Sequence, residues 1–157
     1  MNGPPFRDLD DEFQRWFGGD DVSLYEWITC AGSLADLAAY GRIIWPDFVE
    51  HGGRIFKAGF SEPVYHETLL RNEGDEEAAQ AFVNHKHVLD LFGRPDARGK
   101  APSQELVIYV GRLLRDIWQA KLGHDFPNRR IIVEFFPERS ENLDDYQLTF
   151  YEKSPEQ

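Results

Sequence analysis

The stretch QELVIYVGRLLRDIWQAKLG, residues 104–123, constrains the fold more than any other part of the chain. Wound as a helix at about 100° per residue, it places Leu106, Tyr109, Val110, Leu113, Ile117 and Ala120 on one face. Val107, Leu114 and Trp118 widen that face beyond half the circumference. A helix so broadly apolar has to be covered on several sides, so it is expected at the centre of the fold. Ser103 is its expected N-cap, and Gly111, at the edge of the apolar face, is expected to admit the close approach of another backbone.

The C-terminal part follows the other periodicity. RRIIVEFF, closed by Pro137, is rich in β-branched and aromatic residues, and DYQLTFYE alternates Tyr146, Leu148 and Phe150 with Gln147, Thr149 and Tyr151. Joined through ERSENLD, the two segments predict an antiparallel hairpin. Ahead of them, RIFKAGF reads as a strand with Phe56, Ala58 and Phe60 on one face.

Helix signals fill most of the remainder. DLDDEFQRWF carries Leu9, Phe13, Trp16 and Phe17 at helical spacing. Ser23 with Glu26 is a capping box opening LYEWITCA, whose Cys30 is expected to be a buried thiol. Ser33 with Asp36 opens a further helix, with Leu34, Leu37, Ala38, Gly41, Ile44 and Trp45 on one face and a stop at Pro46. PDFVEH reads as one helical turn and Gly52-Gly53 as a turn. Ser61 caps a helix with Pro63 in its first turn. The fold expectation is α+β: five or six helices packed on a small, mainly antiparallel sheet made of RIFKAGF and the C-terminal β-hairpin. A chain of 157 residues fits one globular domain, 1–157, with MNGPPFR, residues 1–7, as a flexible N-terminal arm.

Charge narrows the classes of partner. With 28 acidic and 17 basic residues the net charge is −11, which repels nucleic acid and anionic membrane surfaces and attracts a basic protein. No basic, apolar leader opens the chain, no apolar run approaches the ~20 residues of a membrane span, and a single cysteine excludes an internal disulfide, so a cytoplasmic location is expected.

The stretch AFVNHKHVLDLF, residues 81–92, carries two of the five histidines. On one helix from Asp75 to Phe92, residues Ala78, Ala81, Phe82, His85, Val88, Leu89 and Phe92 form one apolar stripe. His87 then lies about 200° away, facing solvent, and the two imidazoles cannot share one ion. On a strand they would share a face. The helical reading leaves His85 alone on the stripe, either as a hydrogen-bonded core residue or as the lining of a pocket, with Asn84 at the stripe's edge.

Other motifs fall short of chemistry. HETLL lacks the second histidine of a zinc-protease helix, since position 70 is Leu. GRPDARGKA has the wrong glycine spacing for a phosphate loop, and Ala101 replaces the required hydroxyl. There is no Gly-x-Ser-x-Gly elbow, and no acidic cluster has calcium-loop spacing. Asn128 to Arg130 are expected to flank and blunt a strand edge.

The functional expectation is therefore a non-catalytic protein-interaction module with an acidic surface, an inhibitor or immunity-type binder of a basic partner. Asp144, Asp145 and Tyr151 of the C-terminal hairpin are its candidate contact residues. No cofactor is expected. The alternative is a metal-binding protein or small enzyme around His85, helped by His66, His51 or Glu134. Self-association is a third possibility: strand 146–152, if it lies at a sheet edge, can pair across a dimer axis.

Overall fold

A computed structural model describes residues 24–92, 102–136 and 142–153 of the chain. The expected arm at 1–7, the helix at 8–17 and most of the glycine-rich loop at 93–103 lie outside the described residues. The fold is α+β, with six α-helices among the described residues and two small antiparallel sheets. The chain divides into two compact units, Met1–Ile43 and Ile44–Gln157.

In the first unit, α1 (Leu24–Ala31) ends where Gly32 N–H donates to Ile28 O at 2.8 Å. A Cβ at position 32 would lie 2.7 Å from that same oxygen, so only glycine fits. Helix α2 (Leu34–Ile44) opens at Ser33, as expected: Asp36 N–H donates to Ser33 Oγ at 3.0 Å, and the hydroxyl donates to the Asp36 carboxylate at 2.7 Å. No residue of α2 is buried, Leu34 is 86 % exposed and Leu37 65 %. Cys30, expected inside, is exposed.

The second unit begins with β1 (Phe48–His51), where one helical turn was expected. Gly52 and Gly53 both have positive φ, 57° and 79°, as a two-residue hairpin turn of the primed type requires. They fold β2 (Arg54–Lys57) back in the register His51↔Arg54 to Phe48↔Lys57. Pairing thus outweighs the local helical signal. β2 is also shorter than expected: a turn through Ala58 and Gly59, not strand alternation, lays Phe60 on Phe56, with ring centroids 4.1 Å apart and planes 11° from parallel. Helix α3 (Glu62–Arg71) adds Tyr65, edge-on to Phe56 at 4.9 Å.

Helix α4 (Glu76–Asn84) is capped by Asp75, whose side chain accepts from Ala78 N–H. Then come β3 (Lys86–His87), α5 (Val88–Phe92) and α6 (Gln104–Asp125). Ser103 caps α6 by accepting from Leu106 N–H, as expected. Its buried positions are Val107, Gly111, Leu114, Trp118, Lys121 and Leu122, so the residues expected to widen the face are its centre, and Leu113 is 41 % exposed. Gly111 admits a side chain, the ring of Phe135, rather than a backbone.

The C-terminal hairpin forms as expected. β4 (Ile131–Phe136) and β5 (Gln147–Glu152) pair antiparallel from Ile131↔Glu152 to Phe136↔Gln147. Tyr146, Leu148 and Phe150 are all buried. Strand order is β3-β5-β4, which makes β5 the central strand. The condition for dimerisation through β5, that it lie at an edge, does not hold.

The β1–β2 hairpin and the three-stranded sheet are separate sheets, against the expectation of one. Two side-chain amides of α4 bridge them. Gln80 donates to Ile55 O at 2.7 Å and accepts from Glu152 N–H at 2.8 Å. Asn84 accepts from Lys57 N–H at 3.1 Å and donates to both Ile55 O and Phe150 O at 3.3 Å. Both residues are fully buried. The amides stand in for the missing strand partner, since buried backbone groups must be paired. This inverts the expected face of α4: Ala79, Gln80 and Asn84 point inward while Phe82 is 52 % exposed. Gln119 of α6 serves the outer edge of β4 in the same way, donating to Ile131 O at 2.9 Å and accepting from Val133 N–H at 3.0 Å.

Candidate functional site

The expected helix over 75–92 breaks at His85, the C-cap of α4, whose backbone is extended at φ −66°, ψ 145°. The side chain of Asn84 is held by Lys57, Ile55 and Phe150, and the chain that follows pairs with β5 through Lys86↔Leu148 and His87↔Gln147. Val88 N–H then donates to Tyr146 O at 2.9 Å and helical winding resumes. Two ladder positions replace two helical ones because β5 offers its free backbone there.

Extension changes the geometry of the two histidines. Residues two apart on an extended segment share a face, and the intervening Lys86 turns to the other. The His85 and His87 rings lie 5.5 Å apart, centroid to centroid, at 84°. The expectation that they face opposite ways is overturned. Both are half-buried, so His85 is neither enclosed in the core nor fully in water. Phe82 continues the row, 5.2 Å from the His85 ring.

Each ring is oriented by its Nδ1. In His85 that nitrogen meets Phe82 O, and in His87 it meets Asp144 O at 2.6 Å. A carbonyl oxygen only accepts, so Nδ1 carries the proton in both rings. The neutral imidazole then keeps its lone pair on Nε2.

The other candidates do not join this pair. His51 and His66 converge on a single carboxylate oxygen of Glu62, at 3.2 and 3.5 Å, on exposed parts of β1 and α3. Glu67 pairs with Arg71 rather than with His66. Glu134 accepts from the Tyr151 hydroxyl at 3.3 Å, and burial, then the Glu134 charge, push that phenol above its ordinary pKa. Asp144 and Asp145 lie in a 3₁₀ turn, Leu143–Asp145, at the start of β5. Tyr151 is at the far end of that strand, about 20 Å away at ~3.4 Å per residue, so the three do not form one patch. Among the described residues no group of three or more His, Cys, Asp or Glu is placed to hold a metal ion.

Two cationic residues complete the electrostatics. Burial and the neighbouring Lys86 lower the pKa of Lys57. The hydrogen bonds Arg129 donates to Glu152, then the charges of Glu152 and Glu50, hold it more firmly protonated than an ordinary guanidinium. Arg129, expected only to blunt a strand edge, ties the β1–β2 turn to β5 through Gly53 O, Glu50 and Glu152.

The helical spacing alone points His87 to solvent and assigns Gln80 no role. A signal for the first was present: His-x-His is the period-two spacing of a strand, but the apolar positions around it fit a helix equally well. No family model matches this chain, and neither does any curated protein or solved structure.

Proposed function

We propose that this protein is a non-catalytic protein-interaction module that docks a basic partner through helices α1 and α2. The observation that carries this reading is α2 itself, eleven residues with none buried and with Leu34 and Leu37 in solvent. Tyr25 on α1 is 79 % exposed. Apolar side chains spaced by three lie along one side of a helix, the pattern by which amphipathic helices enter an apolar groove. Burying such a row in a partner's groove would contribute about 1.5–3 kcal/mol for each large aliphatic side chain. The net charge of −11 selects a partner with a basic rim and speeds its encounter. Inhibitor or immunity-type binding fits both features.

The test is quantitative recovery from lysate by the wild type and by a Leu34→Glu, Leu37→Glu variant, at low and high salt. One basic protein should be retained by the wild type, released by salt and lost with the variant. Equal recovery by the two proteins, or retention indifferent to salt, would reject the reading.

A further inference from the structure

We infer that His85 and His87 form a two-imidazole site for one borderline divalent transition-metal ion, of the Zn²⁺, Ni²⁺ or Cu²⁺ class. The site is independent of the docking reading, because no residue of α1 or α2 belongs to it.

Three observations carry the inference. The first is ring spacing. Two imidazoles bound through Nε2 to one tetrahedral ion, with metal–nitrogen bonds of about 2.0–2.1 Å, have centroids about 5.3 Å apart. The His85 and His87 centroids are 5.5 Å apart. The second is orientation. Histidines that ligate metals usually donate the other ring N–H to a carbonyl or carboxylate, which fixes the tautomer and makes the ligating nitrogen more basic. Both rings have this second bond in place, His85 to Phe82 O and His87 to Asp144 O. The third is the mounting of the pair. Lys86 is paired with Leu148 and His87 with Gln147, so the backbone between the ligands is held by β5.

Imidazole nitrogen suits zinc, nickel and copper, whereas calcium and magnesium require oxygen. With two protein ligands, water fills the remaining positions and the ion stays open to exchange. Strand alternation turns Lys86 from the histidine face, in keeping with its charge acting on Lys57, and the net charge of −11 favours a cation overall. His51 and His66 are less suited, since both Nε2 atoms already meet Glu62.

The experiment is calorimetric titration of the full chain with Zn²⁺ and with Ni²⁺. The wild type should bind one ion. His85→Ala and His87→Ala should each weaken binding by at least roughly tenfold, the scale on which even an outer-shell partner's loss acts, and the double variant should abolish it. His51→Ala and His66→Ala should bind as the wild type does. Nitrogen NMR of the wild-type imidazoles makes the result independent of whether the variants fold: Zn²⁺ should shift Nε2 of both His85 and His87. No uptake by the wild type, uptake retained in the double variant, or ring shifts confined to other histidines would each overturn the inference.

Discussion

The ring of Phe135 fills the space that any side chain at position 111 would need: a Cβ on Gly111 would lie 2.2 Å from its Cε2 and Cζ. Alanine exceeds glycine in helix propensity by about 1 kcal/mol. Overpacking a core costs about 1–3 kcal/mol or more. The second effect wins here, so Gly111→Ala should destabilise the protein by about 1–2 kcal/mol. On the same helix a Cβ at Gly123 meets nothing within 4 Å, and Gly123→Ala should stabilise by roughly 0.5–1 kcal/mol. Urea denaturation of the two variants should give opposite signs, and a stabilised Gly111→Ala would refute the close approach.

Asn84 and Gln80 share the acceptor Ile55 O, and between them hold Lys57 and Glu152 amides and the Phe150 carbonyl. An orphaned buried polar group costs about 1–3 kcal/mol. Asn84→Ala should therefore destabilise by roughly 3 kcal/mol, and Asn84→Leu should not recover it, because the backbone groups stay unpaired. A double-mutant cycle with Gln80→Ala should show coupling of about 1 kcal/mol. Additive losses would mean that the two amides act separately.

Arg129 engages Glu152 through Nε and Nη2, with the Nη2 bond at 2.7 Å, and reaches Glu50 at 3.2 Å. A lysine supplies one point charge and cannot reproduce the fork. Arg129→Lys should lose about 1–2 kcal/mol. Arg129→Ala should lose more, since it leaves the mostly buried Glu152 carboxylate without its cation. Equal stability of Arg129→Lys and wild type would reduce the clamp to a nonspecific charge contact.

Lys121 is buried, bonds Asp125 at 2.6 Å and lies 5.1 Å from the Trp45 ring. Its hydrogen bond, followed by that from His124, holds the Asp125 carboxyl below the usual carboxylate range. A folded-state pKa below the unfolded value of about 3.9 contributes stability above that pH, and the contribution is lost as pH falls through the folded value. Asp125→Asn should cost about 1 kcal/mol at neutral pH, with the gap to wild type holding down to about pH 5 and closing below about pH 4. A gap that widened on acidification would have the wrong sign.

Local chemistry was legible wherever the physics acts within a few residues. The caps at Ser33 and Ser103 and the inward row Tyr146, Leu148, Phe150 depend on spacings of two to four residues, which the chain displays directly, whereas Ser61, also expected to cap, makes no side-chain cap bond. The α+β class followed from those periodicities alone. The candidate site was legible only as a choice between helix and strand at His85. The apolar residues on both sides of it fit one continuous helix, and against them stands locally only the period-two spacing of His85 and His87.

The contacts that resolve the choice come from far along the chain. Leu148 and Gln147 offer ladder positions to Lys86 and His87, and Phe150 takes the Asn84 amide. Continuing a helix and joining a sheet satisfy the same backbone groups at similar cost, so the balance rests on which partner packing brings alongside. The inward polar face of α4 has the same origin, because a helix laid against two strand edges needs amides where one laid against an apolar core needs methyl groups.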